Sequence, residues 1–166
     1  MPAFDEFTQA NGSYARNFDA GDLPIPPSRR VAVVTCMDAR LDPEEFLGLG
    51  LGEAHMIRNA GGRVSDDALR SLVISQRLLG TNEVVVIHHT DCGMMSFTNA
   101  DLREKIRSDL GADASGRDFL TFSDLDESVR EDVQALRRSE LVPDDVTVTG
   151  AVYEVETGRL REVEAG

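Results

Sequence analysis

Apolar residues along the chain fall into runs of two kinds. Val31–Thr35 and Glu83–His89 are nearly continuous stretches of β-branched residues, as expected of strands buried on both faces of a parallel sheet. Ala54–Arg58 reads as a third strand. Asp66–Leu79 has helical spacing, with Leu69, Leu72, Val73 and Leu79 on one face, Ser65 as cap and Gly80 as stop. A shorter helix begins at Asp42-Pro43-Glu44-Glu45, where Asp42 caps, Pro43 takes the first helical position and Glu45 completes a capping-box pattern. Val31 to His89 is therefore β-α-β-α-β, which predicts parallel pairing with right-handed crossovers.

Beyond His89 the pattern predicts helices over Thr98–Leu110 and Asp124–Arg138, the latter with Leu125, Val129, Val133 and Leu136 inward. An irregular segment, Gly111–Phe122, separates them. Val146–Val155 alternates like a half-exposed strand, and Leu160–Val163 pairs back on it after the Thr157-Gly158 turn. Gly21–Arg30 is a proline-bearing extended connector. Ahead of it, Phe4, Phe7, Tyr14 and Phe18 recur at helical spacing, interrupted at Asn11-Gly12 so that two shorter pieces are an option. The helix packs either on its own domain or on a partner subunit. The expected fold class is α/β: a mostly parallel central sheet with flanking helices, an N-terminal helical arm and a C-terminal antiparallel edge strand or hairpin.

The chemistry gathers where two of the strands end. Val31–Thr35 runs into Cys36, Asp38 and Arg40, and Glu83–His89 runs into Thr90, Asp91, Cys92 and Gly93. Ligands in open α/β sheets lie at the carboxyl ends of strands. If these two strands are neighbours, Cys36, His89 and Cys92 converge, and two thiolates with an imidazole form a soft set suited to zinc. The bland alternative is two small buried cysteines. Strand geometry turns His88 to the opposite face from His89, and His55 reads as a structural histidine. Asn59-Ala60-Gly61-Gly62 reads as a turn on the crevice side.

Composition narrows the class. The 166 residues suit a single domain, 1–166, with 1–23 as its arm, and the net charge of −13 argues against nucleic-acid and anionic-membrane partners. No stretch approaches a membrane span, and the N-terminus lacks the basic and apolar regions of a secretory signal. A cytoplasmic location is expected, where the two cysteines would stay reduced.

The pair of motifs, Cys36-x-Asp38-x-Arg40 and His89-x-x-Cys92-Gly93, resembles the β class of carbonic anhydrases from about Pro24 onward. The resemblance implies one zinc per chain on Cys36, His89 and Cys92, with Asp38 either paired to Arg40 or acting as fourth ligand. It implies zinc-dependent reversible hydration of CO2 to bicarbonate and a proton by zinc-hydroxide attack, with the Gly93 N–H helping to hold substrate. It also implies a homodimer or dimer of dimers in which the N-terminal arms embrace the partner. One position departs from the family. Many members have Gln nine residues before the first cysteine, where this chain has Pro27, so the pocket is less polar. Carbonyl sulfide hydrolases share the motif and supply a second expectation of substrate. A third, of another class, is a non-catalytic dimeric module with a closed structural zinc.

Overall fold

The computed structural model describes residues 2–166. Five strands form one sheet: β1 Val31–Cys36, β2 Ala54–Asn59, β3 Glu83–His89, β4 Thr147–Glu154 and β5 Arg159–Val163. Their order is β2-β1-β3-β4-β5. The first four are parallel, and β5 is antiparallel to β4 as a C-terminal hairpin. The chain runs outward from β1 to β2, then returns to place β3 on the other side of β1. The strand order thus reverses between β1 and β3, where an α/β sheet opens a crevice at its carboxyl edge.

Five helices accompany the sheet: α1 Ala3–Ala15, α2 Pro43–Leu47, α3 Asp66–Leu79, α4 Asn99–Leu110 and α5 Leu125–Arg137. Local chemistry sets their starts. Asp42, Ser65 and Asp124 each accept a backbone N–H of the first turn, and Thr98 with Asp101 forms a reciprocal capping box.

One face of the sheet is well covered. Ala68 and Leu72 of α3 and Val129, Val133 and Leu136 of α5 pack on Ala32, Val34, Val84, Val86, Val148 and Val152. α5 lies so close to β4 that a Cβ on Gly150 would come within 2.5 Å of Val129. The inward face of α3 differs from the apolar pattern. Ser75 and Gln76 are buried with Leu72, while Leu69, Val73 and Leu79 are only partly so. Ser75 is admitted because its hydroxyl bonds His55 Nδ1 and Thr81 Oγ1, each at 2.7 Å. His55 is therefore a satisfied structural histidine. β4 also departs from simple alternation: Gly150, Ala151 and Val152 are all buried, since both of its edges are paired and α5 lies over it.

The opposite face is thinly covered. Phe46 and Leu47 of α2 pack there against Val33, Ile87 and Ala151, and Phe46 stacks on Tyr153 at 4.2 Å, but Met56 and Val85 stay half-exposed. α1 does not cover them. It runs unbroken through Asn11-Gly12 as one helix with no buried residue, so neither packing on its own domain nor a split into two pieces is observed. A glycine within an exposed helix costs only about 1 kcal/mol relative to alanine, too little to break it. Phe4, Phe7, Tyr14 and Phe18 are all exposed, Phe4 by 75 %.

Candidate metal centre at the β1–β3 switch

Cys36 is the last residue of β1 and His89 the last of β3. The β1–β3 register, Val31 with Glu83 through Thr35 with Ile87, brings those ends side by side. After β3 the chain turns at Asp91, in the left-handed region at φ 54°, and Cys92 opens a short 3-10 turn, Gly93–Met95. The ligand atoms of Cys36, His89 and Cys92 lie within 4.8 Å of one another, and all three residues are buried. These are the residues that the strand-end pattern singled out, and both thiols are free.

The imidazole is oriented as a ligand. His89 Nδ1 lies 2.8 Å from the Thr90 carbonyl, which only accepts, so the hydrogen sits on Nδ1 and the lone pair on Nε2. That Nε2 is buried with no hydrogen-bond partner. An orphaned buried acceptor beside two thiols is the gap that a metal ion would fill.

The electrostatics agree. The neighbouring Cys92 thiol chiefly holds the Cys36 thiol well below its usual value. Burial opposes the shift, while His89 and the backbone N–H groups of Asp38 and Gly61 reinforce it. Cys92 is pushed up, first by its neighbour Cys36 and next by burial. For His89 burial favours the neutral ring, yet the nearby Cys36 thiol prevails and raises it. Two thiols and an imidazole grouped this closely are donors whose protons a divalent cation would replace.

Asp38 borders the three but is engaged by Arg40. Its carboxylate accepts from Arg40 Nε at 3.0 Å and Arg40 Nη2 at 2.8 Å, and also from the Arg40 backbone N–H at 2.9 Å. These bonds hold its carboxyl well below the usual carboxylate range. Asp38 Oδ2 nonetheless lies 3.8 Å from His89 Nε2, within a side-chain rotation of the cluster.

Beside the cluster is a cavity of about 440 Å³, lined chiefly by Met37, Ala60, Gly61, Met94, Phe97, Leu102 and Phe119 with Cys36, Asp38, Cys92 and Gly93. Phe119 comes from the irregular polar segment and Leu102 from α4. Neither carried any sequence signal of a site.

Further residues support the cluster, and of these the role of Arg58 escaped the sequence reading. Arg58 on β2 donates to the Cys36 carbonyl at 3.0 Å and to the Asp38 carbonyl at 2.8 Å, pinning the loop between them. Asn59 Nδ2 donates to the Arg63 carbonyl at 2.8 Å and shapes the turn, while Gly61 of that turn lines the cavity. Behind it, His88 faces away from His89 into a buried network. Its Nδ1 is 2.7 Å from Ser128 Oγ, and its Nε2 lies near the Gly62 carbonyl at 3.2 Å and Asp132 Oδ2 at 3.1 Å. Both partners of Nε2 are acceptors, so Nε2 carries a hydrogen. Arg63 Nε sits 3.0 Å from the same Asp132 oxygen. Only a Gly-rich turn could present this cue in sequence; the partners, 40 and 44 residues away, could not be read.

Comparison with known proteins places the chain. The family model described as carbonic anhydrase matches residues 31–160. β-Carbonic anhydrase 1 of Mycobacterium tuberculosis is 44 % identical over 163 residues, covering 98 % of this chain and 99 % of that protein. A carbon disulfide hydrolase of Acidianus is 40 % identical over 83 % of this chain and 79 % of its own length. The crystal structure of a carbonic anhydrase from Streptococcus mutans superposes with TM-score 0.95 at 54 % identity, covering 99 % of both chains.

Proposed function

Since the chain belongs to the β-carbonic anhydrase family, we propose that it catalyses the reversible hydration of CO2 to bicarbonate and a proton, with zinc held by Cys36, His89 and Cys92. The observation that carries this reading is the orphaned His89 Nε2 facing two thiols while Arg40 holds Asp38 aside. Such a zinc would supply a Lewis acid and lower the pKa of a water molecule toward neutrality. The chain's residues do the rest. Asp38, kept ionised by Arg40, can only accept hydrogen bonds, so it orients the hydrogen of the attacking water and leaves a lone pair toward substrate. On this reading the apolar cavity receives CO2, and the N–H of Gly93, which lines it, would donate to an oxygen of substrate or product. A permanently closed structural zinc is disfavoured, because Asp38 already has a bidentate partner outside the cluster.

A second substrate class is favoured by two observations. The cavity walls are mostly apolar side chains, and Pro27 offers no side-chain donor where many family members carry Gln. Carbonyl sulfide and carbon disulfide are apolar triatomics of the same shape as CO2, and carbon disulfide hydrolases are among the relatives. The test is hydration of CO2 by stopped flow beside consumption of both sulfur compounds, on one zinc-loaded sample. CO2 turnover alone supports the first reading and turnover of sulfur compounds alone the second. No turnover of any with zinc bound would return the structural-module reading.

Asp38 should act as a gate. Were zinc held by Cys36, His89 and Cys92, the Asp38 carboxylate and solvent would compete for it, and solvent would compete better as pH rises. Activity should therefore rise with pH for two coupled reasons, deprotonation of solvent and release of Asp38 to Arg40. Arg40→Ala should bias the site toward closure and move the profile to higher pH. Asp38→Ala should leave the site open across the range, with a lower rate from loss of the orienting acceptor. X-ray absorption at two pH values spanning the midpoint checks this: a ligand set with Asp38 absent at both would sink the gate.

Surfaces left bare support a reading of the assembly. α1 exposes Phe4, Phe7 and Tyr14, and the sheet face bearing Met56 and Val85 is thinly covered. We read this as a homodimer whose arms pack on the partner. Deleting residues 1–21 should yield monomers or aggregates, since each buried aromatic contributes on the order of 2 kcal/mol. A truncated chain that remains a soluble dimer by light scattering would exclude the arm. No helix among the described residues is long and apolar enough to cross a membrane, and the free thiols suit a reducing compartment such as the cytoplasm.

A further inference from the structure

Asp91 combines three features that the reaction outlined above does not use. It is one of three non-glycine residues at positive φ among those described, at 54°. Its carboxylate accepts from Arg40 Nη1 at 2.7 Å, and its backbone carbonyl accepts from Arg40 Nη2 at 2.9 Å. Left-handed backbone is uphill for a side chain with a Cβ, though aspartate tolerates it better than most. Here that conformation turns the carbonyl and the carboxylate of one residue toward the same guanidinium.

The hydrogens of Arg40 show that the two aspartates complement one another. Asp38 takes Nε–H and one hydrogen of Nη2, while Asp91 takes Nη1–H and the other hydrogen of Nη2. No hydrogen need be shared, so the guanidinium is gripped on two edges. The turn carrying Asp91 is itself anchored to β4. Thr90 N–H donates to the Tyr153 carbonyl at 3.0 Å, and Thr90 Oγ1 accepts from Val155 N–H at 3.0 Å. Arg40 sits in a loop of no regular structure with its side chain about half exposed. A free arginine there would sample many rotamers.

We propose that Asp91 is a positioning residue, a fixed clamp that holds Arg40 in the one orientation able to receive Asp38. It acts through Arg40 and touches neither metal nor substrate. Its consequence for activity rests on the gate described above; its effect on Arg40 does not. The charged and titratable groups around this pair are Asp38 itself, Arg58 from β2, His89 from β3, and the thiols of Cys36 and Cys92.

The test compares Asp91→Gly, Asp91→Asn and Arg40→Ala with the wild type. Glycine keeps the left-handed turn without strain, so Asp91→Gly should fold at least as stably. Asparagine also tolerates it and keeps a neutral acceptor, which provides a second folded variant. In metal-free protein, nitrogen-15 NMR should find the Arg40 Nε–H signal sharp and protected from solvent exchange. Asp91→Gly should broaden it or speed its exchange at least several-fold, with a smaller effect in Asp91→Asn. In zinc-loaded protein, Asp91→Gly should raise the midpoint of the pH–activity profile by about half a unit, the scale a solvent-exposed ion pair exerts. X-ray absorption near the wild-type midpoint should then find more Asp38 on the metal.

The outcomes separate the two ideas. Loss of Arg40 protection in Asp91→Gly without any shift for Arg40→Ala would keep the clamp and reject the gate. A shift for Arg40→Ala, with Asp91→Gly matching wild type in both signal and profile, would overturn the clamp and keep the gate. Unchanged protection together with an unshifted Arg40→Ala profile would overturn both.

Discussion

Replacing Cys36 or Cys92 by serine should leave the centre without metal, with affinity falling by at least about 100-fold. A structural zinc site is worth about 10–16 kcal/mol over its ligands, and each 1.4 kcal/mol is tenfold in binding. A serine hydroxyl stays protonated near neutral pH and is a poor substitute for thiolate. Both cysteines are buried, so the hydroxyl also replaces sulfur where water is scarce, at a cost of about 1–3 kcal/mol if unpaired. Two measurements check this. Elemental analysis after dialysis should find zinc in the wild type and almost none in the variants. Chelator should lower the melting temperature of the wild type and leave that of the variants unchanged, because bound metal stabilises only a fold that binds it. Full occupancy in either variant would remove that cysteine from the site.

Gly62→Ala should damage fold and centre together. Gly62 has φ 68°, and a Cβ there would lie 2.9 Å from the Cys36 backbone nitrogen, 2.9 Å from the Thr35 carbonyl carbon and 3.0 Å from the Ile87 carbonyl oxygen. All three are backbone atoms of β1 and β3, the strands that present Cys36 and His89. Left-handed strain alone costs about 1–2 kcal/mol, and the clash can be relieved only by parting the strands or shifting the turn. We expect a loss of at least about 3 kcal/mol, in the range of severe core substitutions, with weakened metal binding in whatever remains folded. Gly61→Ala is the comparison. Its backbone is also left-handed, at φ 82°, but its Cβ would meet the side chains of Met94 and Phe122 at 3.1 Å, which can rotate aside. Gly61→Ala should therefore be milder in chemical denaturation. Equal midpoints for the two variants would show that the Gly62 contact with β1 and β3 is not limiting.

These two predictions draw on unequal amounts of sequence information. The cysteines were legible because a β-branched run ending in Cys36 and another ending in His89 and Cys92 place soft ligands at strand ends. Gly62 was legible only as a turn residue. Its contact with Cys36 spans 26 residues, and its carbonyl's partner His88 is as distant in sequence. The helix caps at Asp42, Ser65 and Thr98 were readable for the opposite reason, since each bond closes within three residues. The apolar pattern misjudged α3, where Ser75 is buried through partners on other elements. It left α1 open, because amphipathic spacing could not say whether the apolar face packs on its own chain or on a partner.

By itself, the sequence determined the strands, the order of helices between them and the residues that end β1 and β3. Those features follow from periodicity and capping, which act over a few residues. Three things were decided only by tertiary structure. The β1–β3 register made Cys36 and His89 neighbours. Arg40 was brought to Asp38 beside it and to Asp91 from 51 residues away. The apolar cavity was assembled from Phe97, Leu102 and Phe119 on separate segments. The physical reason is the same in each case. A local pattern states which face of an element is apolar or where a thiol sits. Which groups meet across a crevice depends on strand order and register, and these are fixed by the packing of the whole sheet.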